Sequence, residues 1–112
     1  MRNITFNDVT FNTVFGEAVL CGHVQEQVNV RRDLVRSFKG MQFREVAIRV
    51  FASGRRRLLL QMGAGWLVFE RVSERRLVAK TFVFRPNLAD KDDLFYDNGT
   101  EFVKVERSFG QH

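Results

Sequence analysis

Basic side chains are the residues of this sequence with the clearest capacity for chemistry, and they are concentrated between positions 31 and 85. That part holds fourteen basic and four acidic residues, a net charge of +10, whereas the whole chain carries +5. Arginine dominates, and its planar guanidinium group suits bidentate contacts to phosphate. We predict that these side chains form a polyanion-binding face: Arg31, Arg32, Arg36, Lys39, Arg44, Arg49, Arg55, Arg56, Arg57, Arg75, Arg76, Lys80 and Arg85.

Aromatic residues are interleaved with this charge. Phe82 and Phe84 lie two and four positions after Lys80 on a predicted strand and are therefore predicted to share its face. Exposed rings on that face could stack on nucleic-acid bases. The sequence contains no aromatic RNA-binding octamer, no Cys/His finger and no pair of helices typical of base readout. We therefore expect contacts to backbone phosphates rather than specific recognition of bases.

Other chemistry is poorly supported by the spacing of reactive residues. Cys21 and His23 lie two positions apart on a predicted strand, but no third group is placed to orient a nucleophile and its base. Asp90 and Asp92 begin a spacing like that of a calcium loop, yet Phe95 stands where the loop requires glycine. We predict no catalytic residue, metal or cofactor, and a protein that is not an enzyme.

The elements that must position the arginines are predicted mainly as strands. From Gln42 to Phe84 the apolar residues follow a two-residue period over four segments, with short turns at residues 52–54, 63–65 and 73–75. Such short connections require antiparallel neighbours. Leu58, Leu59 and Leu60 are apolar in succession, so at least one strand must be covered on both faces. The sequence predicts a mainly β (α+β) fold: a curled antiparallel meander or a small barrel.

Two other segments complete this prediction. Residues 17–28 alternate in polarity and predict a strand, whereas residues 30–39 predict one α-helix, with Asn29 as its cap and Gly40 just beyond its end. Near the other end of the chain, Asn98-Gly99 predicts a type I′ hairpin that pairs Phe95 with Phe102.

Length and composition limit the class of protein. The 112 residues, with twelve Phe and one Pro, predict a single domain spanning residues 1–112. One cysteine and an amino terminus without an apolar signal region favour a cytoplasmic protein that does not enter a membrane.

Two kinds of partner fit this composition. The first is nucleic acid, either DNA or RNA, which would be bound without catalysis through the arginine-rich face. The alternative is an acidic protein surface, as would suit a small inhibitor or adaptor encoded by a phage or mobile element. An exposed edge strand or the Asn98-Gly99 hairpin could also pair with a second copy to give a homodimer.

Overall fold

The computed structural model describes residues 7–29 and 40–105, and most of its regular structure is β-strand. The strands are β1 (Val9–Thr13), β2 (Gly16–Leu20), β3 (Arg57–Met62), β4 (Gly65–Ser73), β5 (Arg76–Val83), β6 (Leu94–Asp97) and β7 (Phe102–Lys104). The helices are α1 (Gly22–Asn29), α2 (Gly40–Ala52) and a 3₁₀ helix (Leu88–Asp93). The mainly β prediction is confirmed.

All seven strands belong to one mixed sheet with the order β1-β2-β5-β4-β3-β6-β7. The predicted meander is present as β3, β4 and β5, which pair in antiparallel fashion. A hairpin joins each side of the meander through a parallel pair, β2 with β5 and β3 with β6. Within the described residues β1 and β7 are the two edges, so the sheet is not closed into a barrel.

The larger core lies between one face of the sheet and the helices. In α2 the buried residues Phe43, Val46, Ala47 and Val50 recur at helical spacing and form one apolar stripe. They join a cluster to which β2, β3, β4 and β5 each contribute buried side chains. Residues 42–51 therefore belong to a helix that packing on this stripe stabilises, and the strand predicted over them is wrong.

A second, smaller cluster occupies the opposite face of the sheet. Its buried members are Leu59, Trp66, Val68 and Leu94. The connection from β5 to β6 must pass two strands, and its 3₁₀ helix contacts β3, where Asp90 forms an ion pair with Arg57. The predicted cover on both faces of β3 is therefore confirmed.

The predicted strand over residues 17–28 is correct only as far as Leu20. Helix α1 begins at Gly22, whose backbone N–H donates to Asp8 Oδ1 over 2.8 Å. This carboxylate satisfies a donor that the first turn of a helix leaves unpaired. The Gln27 side chain then ties α1 to the sheet, since its Oε1 accepts a hydrogen bond of 3.1 Å from the Phe82 N–H. The helix predicted near residues 30–39 lies outside the described residues.

The last hairpin is present, but its predicted register is wrong. Phe95 pairs with Lys104, and Asp97 pairs with Phe102 across a turn of residues 98–101. Gly99 is the only residue of this turn with a positive φ, at 96°, whereas a type I′ turn needs two. Asn98 Oδ1 instead accepts from the Thr100 and Glu101 N–H groups and supports the longer turn.

The parallel junction between β2 and β5 depends on Gly16. Its φ is 142°, and a Cβ atom there would overlap the Arg75 carbonyl oxygen and lie 2.7 Å from the carbonyl carbon. We expect Gly16→Ala to destabilise the protein by about 2–4 kcal/mol, because backbone strain and a steric overlap add at one position. Urea unfolding followed by circular dichroism measures the loss.

Gly54→Ala is the matched control for this substitution. Gly54 also has a positive φ, 72°, but a Cβ there would meet nothing within 4 Å. Gly54→Ala should lower the free energy of unfolding by only about 1 kcal/mol, the value for backbone strain alone. Equal losses in the two variants would contradict the close approach of β2 to β5.

Candidate functional site

Six arginines lie in the strand ends and connecting segments at one end of the sheet. This end holds the start of β2, β3 and β5 and the end of β4, since Arg57 pairs with Glu70 and Arg76 pairs with both Ser73 and Glu17. We call it the arginine end and define it by Arg55, Arg56, Arg57, Arg71, Arg75 and Arg76 with Val14 and Phe15. Five of the six arginines were predicted as binding residues.

Three arginines at this end are available to an external anion. Arg55, Arg56 and Arg75 are exposed, and none forms a salt bridge with a residue that the structure describes. Arg55 lies over the ring of Phe95, 4.6 Å from its centroid, in a cation–π contact that orients the side chain. The backbone here is also fixed, because the Arg56 carbonyl accepts a hydrogen bond of 2.7 Å from the Arg71 N–H.

Two arginines at this end have acidic partners. Arg57 pairs with Asp90 of the 3₁₀ helix and so holds the β5–β6 connection against the sheet. Arg76 lies 3.7 Å from Glu17 on the neighbouring strand, and both side chains are about half exposed. Exposed pairs contribute little energy. We assign a structural role to Arg57 and consider Arg76 only partly neutralised.

Arg71 belongs to the arginine end, although it was not among the binding residues predicted from the sequence. Its Nη2 donates to the Glu74 carbonyl over 2.8 Å and its Nε does so over 3.2 Å, which fixes the guanidinium group. The same group lies 5.3 Å from the centroid of Phe51. Phe51 in turn stacks on Phe15, with centroids 6.1 Å apart and an interplanar angle of 28°.

An open pocket of about 420 Å³ lies between the β1–β2 and β4–β5 turns. Its lining consists of Val14, Phe15, Arg71, Glu74 and Arg75. Val14 is 83% exposed and Phe15 is 41% exposed, although both are apolar. The residues that line the pocket are therefore two apolar residues, two arginines and one glutamate.

The remaining predicted basic residues do not join the arginine end. Arg49 of α2 donates to Asp97 over 2.7 Å and lies over the Phe102 ring, so it fastens the last hairpin to the helix. Arg44 is exposed on α2, and Arg85 follows β5 at the other end of the sheet. Four predicted residues lie outside the described residues: Arg31, Arg32, Arg36 and Lys39.

The two predicted stacking rings do not share the face of Lys80. Lys80 is the extra residue in a register shift between β4 and β5, because Val68 pairs with Thr81 and Phe69 pairs with Ala79. The shift reverses the alternation of side chains, so Phe82 is only 3% exposed and belongs to the larger core. Phe84 is 47% exposed but contacts Phe82 edge to face, far from the arginine end.

The other reactive groups do not form a second site. Cys21 is half-buried just before α1, and burial followed by the nearby Asp8 carboxylate raises the pKa of its thiol. A raised pKa makes the reactive thiolate scarcer at neutral pH. In the described part of the chain no group of three or more His, Cys, Asp or Glu side chains could hold a metal. No helix over those residues is long and apolar enough to span a bilayer.

Lys80 is held by Glu70 across the β4–β5 pair. Its Nζ donates to Glu70 Oε2 over 2.8 Å, and this hydrogen bond is the main cause of a lowered pKa for the Glu70 carboxyl. Glu70 is therefore ionised at neutral pH and neutralises Lys80. The charge of Lys80 is thus more fully compensated within the protein than that of the arginines that have no acidic partner.

This pairing gives a pH-dependent stability with a definite sign. A lowered folded-state pKa stabilises the fold above the unfolded value of 4.5, and the contribution is lost as pH falls through the folded value. We expect Lys80→Met to raise the Glu70 pKa towards 4.5 and to cost at most about 1 kcal/mol at pH 7, because the pair is exposed. Carboxyl chemical shifts in an NMR titration measure the pKa. Lys91→Met is the control, and an equal change in the Glu70 pKa there would contradict the assignment.

Comparison with known proteins identified no relative of this chain. No protein-family model, no curated protein and no solved structure matched the chain. The candidate site is therefore defined by the described residues themselves.

Proposed function

We propose that this protein is a non-enzymatic binding module that contacts nucleic-acid phosphates through the arginine end. One observation carries the proposal: Arg55, Arg56 and Arg75 are exposed at one end of the sheet and form no salt bridge with any described residue. Guanidinium groups gathered from separate segments can contact successive phosphates of one strand.

The pairing of Arg49 and Lys80 supports this location, whereas Arg44 and Arg85, which form no salt bridge with a described residue, lie singly on α2 and after β5. Arg49 and Lys80 each have a carboxylate partner within 2.8 Å, so their charge is largely compensated within the protein. Arg55, Arg56 and Arg75 are exposed and have no such partner among the described residues, so none of these residues compensates their charge with a salt bridge. An approaching phosphate strand gains more from a charge that is not already compensated.

Removal of two arginines from this end tests the proposal. We expect Arg56→Gln with Arg75→Gln to weaken oligonucleotide binding by about fivefold or more at low salt. The slope of log affinity against log salt should flatten by about 1.4 for a single strand, the value for two lost phosphate contacts. Fluorescence anisotropy at several salt concentrations gives both quantities.

The matched control removes the same charge elsewhere. Arg44 on α2 and Arg85 after β5 are exposed and form no salt bridge with a described residue. Arg44→Gln with Arg85→Gln should leave most of the affinity and the salt slope intact. Equal losses in the two double variants would mean that net charge, rather than the arginine end, governs binding. Absence of binding to any oligonucleotide at low salt would refute the proposed function.

A second candidate function is docking on an acidic protein surface, as in a phage or mobile-element inhibitor or adaptor. The observation that favours it is the 83% exposure of Val14 beside Phe15, since exposed apolar side chains next to charged ones resemble the centre and rim of a protein interface. If the protein docks on an acidic protein surface, Val14→Ser should weaken binding to that surface as much as Arg56→Gln with Arg75→Gln does. Phosphate binding requires only a small effect of that substitution.

A further inference from the structure

We infer that the arginine end takes single-stranded rather than double-stranded nucleic acid, with one base stacked on the Phe15 ring. This inference rests on the proposed function and specifies its ligand. The observation behind it is an exposed aromatic ring that lines the same pocket as Arg71 and Arg75.

The Phe15 ring is held in place before any ligand arrives. Thr13 Oγ1 accepts hydrogen bonds from the Phe15 and Gly16 N–H groups over 3.1 and 3.2 Å, and its hydroxyl donates to the Gly16 carbonyl over 2.8 Å. These three bonds fix the β1–β2 turn. The ring also stacks on Phe51, yet 41% of the residue remains exposed. A ring fixed in this way loses little conformational entropy when a base stacks on it.

The charges around the ring suit a base with phosphates on either side of it. Arg71 and Arg75 line the pocket, and Arg71 is oriented by its two hydrogen bonds to the Glu74 carbonyl. The Glu74 residue lines the pocket too, and a carboxylate repels a phosphate that enters it. A base can enter beside Glu74, because bases carry hydrogen-bond donors and no charge, while the guanidinium groups contact the flanking phosphates.

This arrangement of ring and charges favours single-stranded over double-stranded nucleic acid. Within a duplex each base is stacked on its neighbours, so its face is not available to a protein side chain. In a single strand the bases can turn outward, and an aromatic side chain can stack on any of them without sequence preference. The proposed site therefore favours single strands and discriminates little among bases.

Binding of three probes tests the inference directly. The probes are a labelled oligothymidylate of about twelve nucleotides, an abasic strand of the same length and a duplex of the same length. We expect the oligothymidylate to bind about fivefold or more tighter than the abasic strand, since stacking of one base contributes at least that factor. The abasic strand presents the same phosphates without bases, so the ratio of the two affinities reports the total contribution of the bases.

Substitutions at Phe15 test whether the ratio of oligothymidylate affinity to abasic-strand affinity depends on the Phe15 ring. Phe15→Leu keeps an apolar side chain against Phe51 but removes the aromatic face, so the ratio should fall towards one. Phe15→Trp should restore the ratio. Tyr96→Ala is the matched control, because Tyr96 is also 41% exposed but lies on β6, outside the arginine end. Circular dichroism of each variant confirms that it is folded.

The outcomes separate this inference from the proposed function. Equal affinity for the oligothymidylate and the abasic strand, with no effect of Phe15→Leu, would overturn base stacking and leave phosphate binding intact. Tighter binding of the duplex would also overturn the inference. If no probe binds at low salt, both statements fail. Binding to an acidic polypeptide but to none of the three probes would favour the protein-docking candidate instead.

Discussion

The close approach of Gly16 to the backbone of Arg75 is the constraint on which the candidate site depends. The Glu17 N–H donates to the Arg75 carbonyl over 2.8 Å, and any Cβ at Gly16 would overlap that carbonyl. This contact begins the parallel pairing of β2 with β5, which attaches the first hairpin to the meander. It also brings Phe15 into a pocket with Arg71 and Arg75. A single backbone contact thus supports both the continuity of the sheet and the surface that we propose binds nucleic acid.

Rigidity at the arginine end comes from the core beneath it. Phe51, at the end of α2, is 3% exposed and belongs to the larger cluster, while its ring contacts both Phe15 and the Arg71 guanidinium group. The apolar stripe of α2 is buried against the sheet, and burial of each large side chain contributes roughly 1.5–3 kcal/mol. Because Phe51 is held by this packing, the exposed ring and the guanidinium group that it contacts lose mobility as well. Phe15 and Arg71 of the candidate site are therefore packed directly on a core residue.

The parts of the fold that could be predicted from the sequence are those set by local pattern. The alternation and short turns of β3 to β5 predicted the meander, and the run of three leucines predicted cover on both faces. Helix α2 was missed because Val46, Ile48 and Val50 suit a strand by type, although Phe43, Val46, Ala47 and Val50 have helical spacing. The start of α1 could not be predicted locally, since Asp8 supplies its cap from 14 positions away.

The same distinction applies to the candidate site. Charge density identified five of the arginines at the arginine end, but it could not separate compensated charges from those without partners. Arg49 meets Asp97 across 48 positions and Arg57 meets Asp90 across 33, and only the folded sheet creates those pairs. Arg71 belongs to the same basic part of the sequence but was not included in the prediction, whereas Phe15 had no local signal of function because it reaches the pocket through the pairing of β2 with β5. A net charge of +10 over residues 31–85 therefore overstates the charge available to a ligand, and the relevant quantity is the number of arginines without an acidic partner.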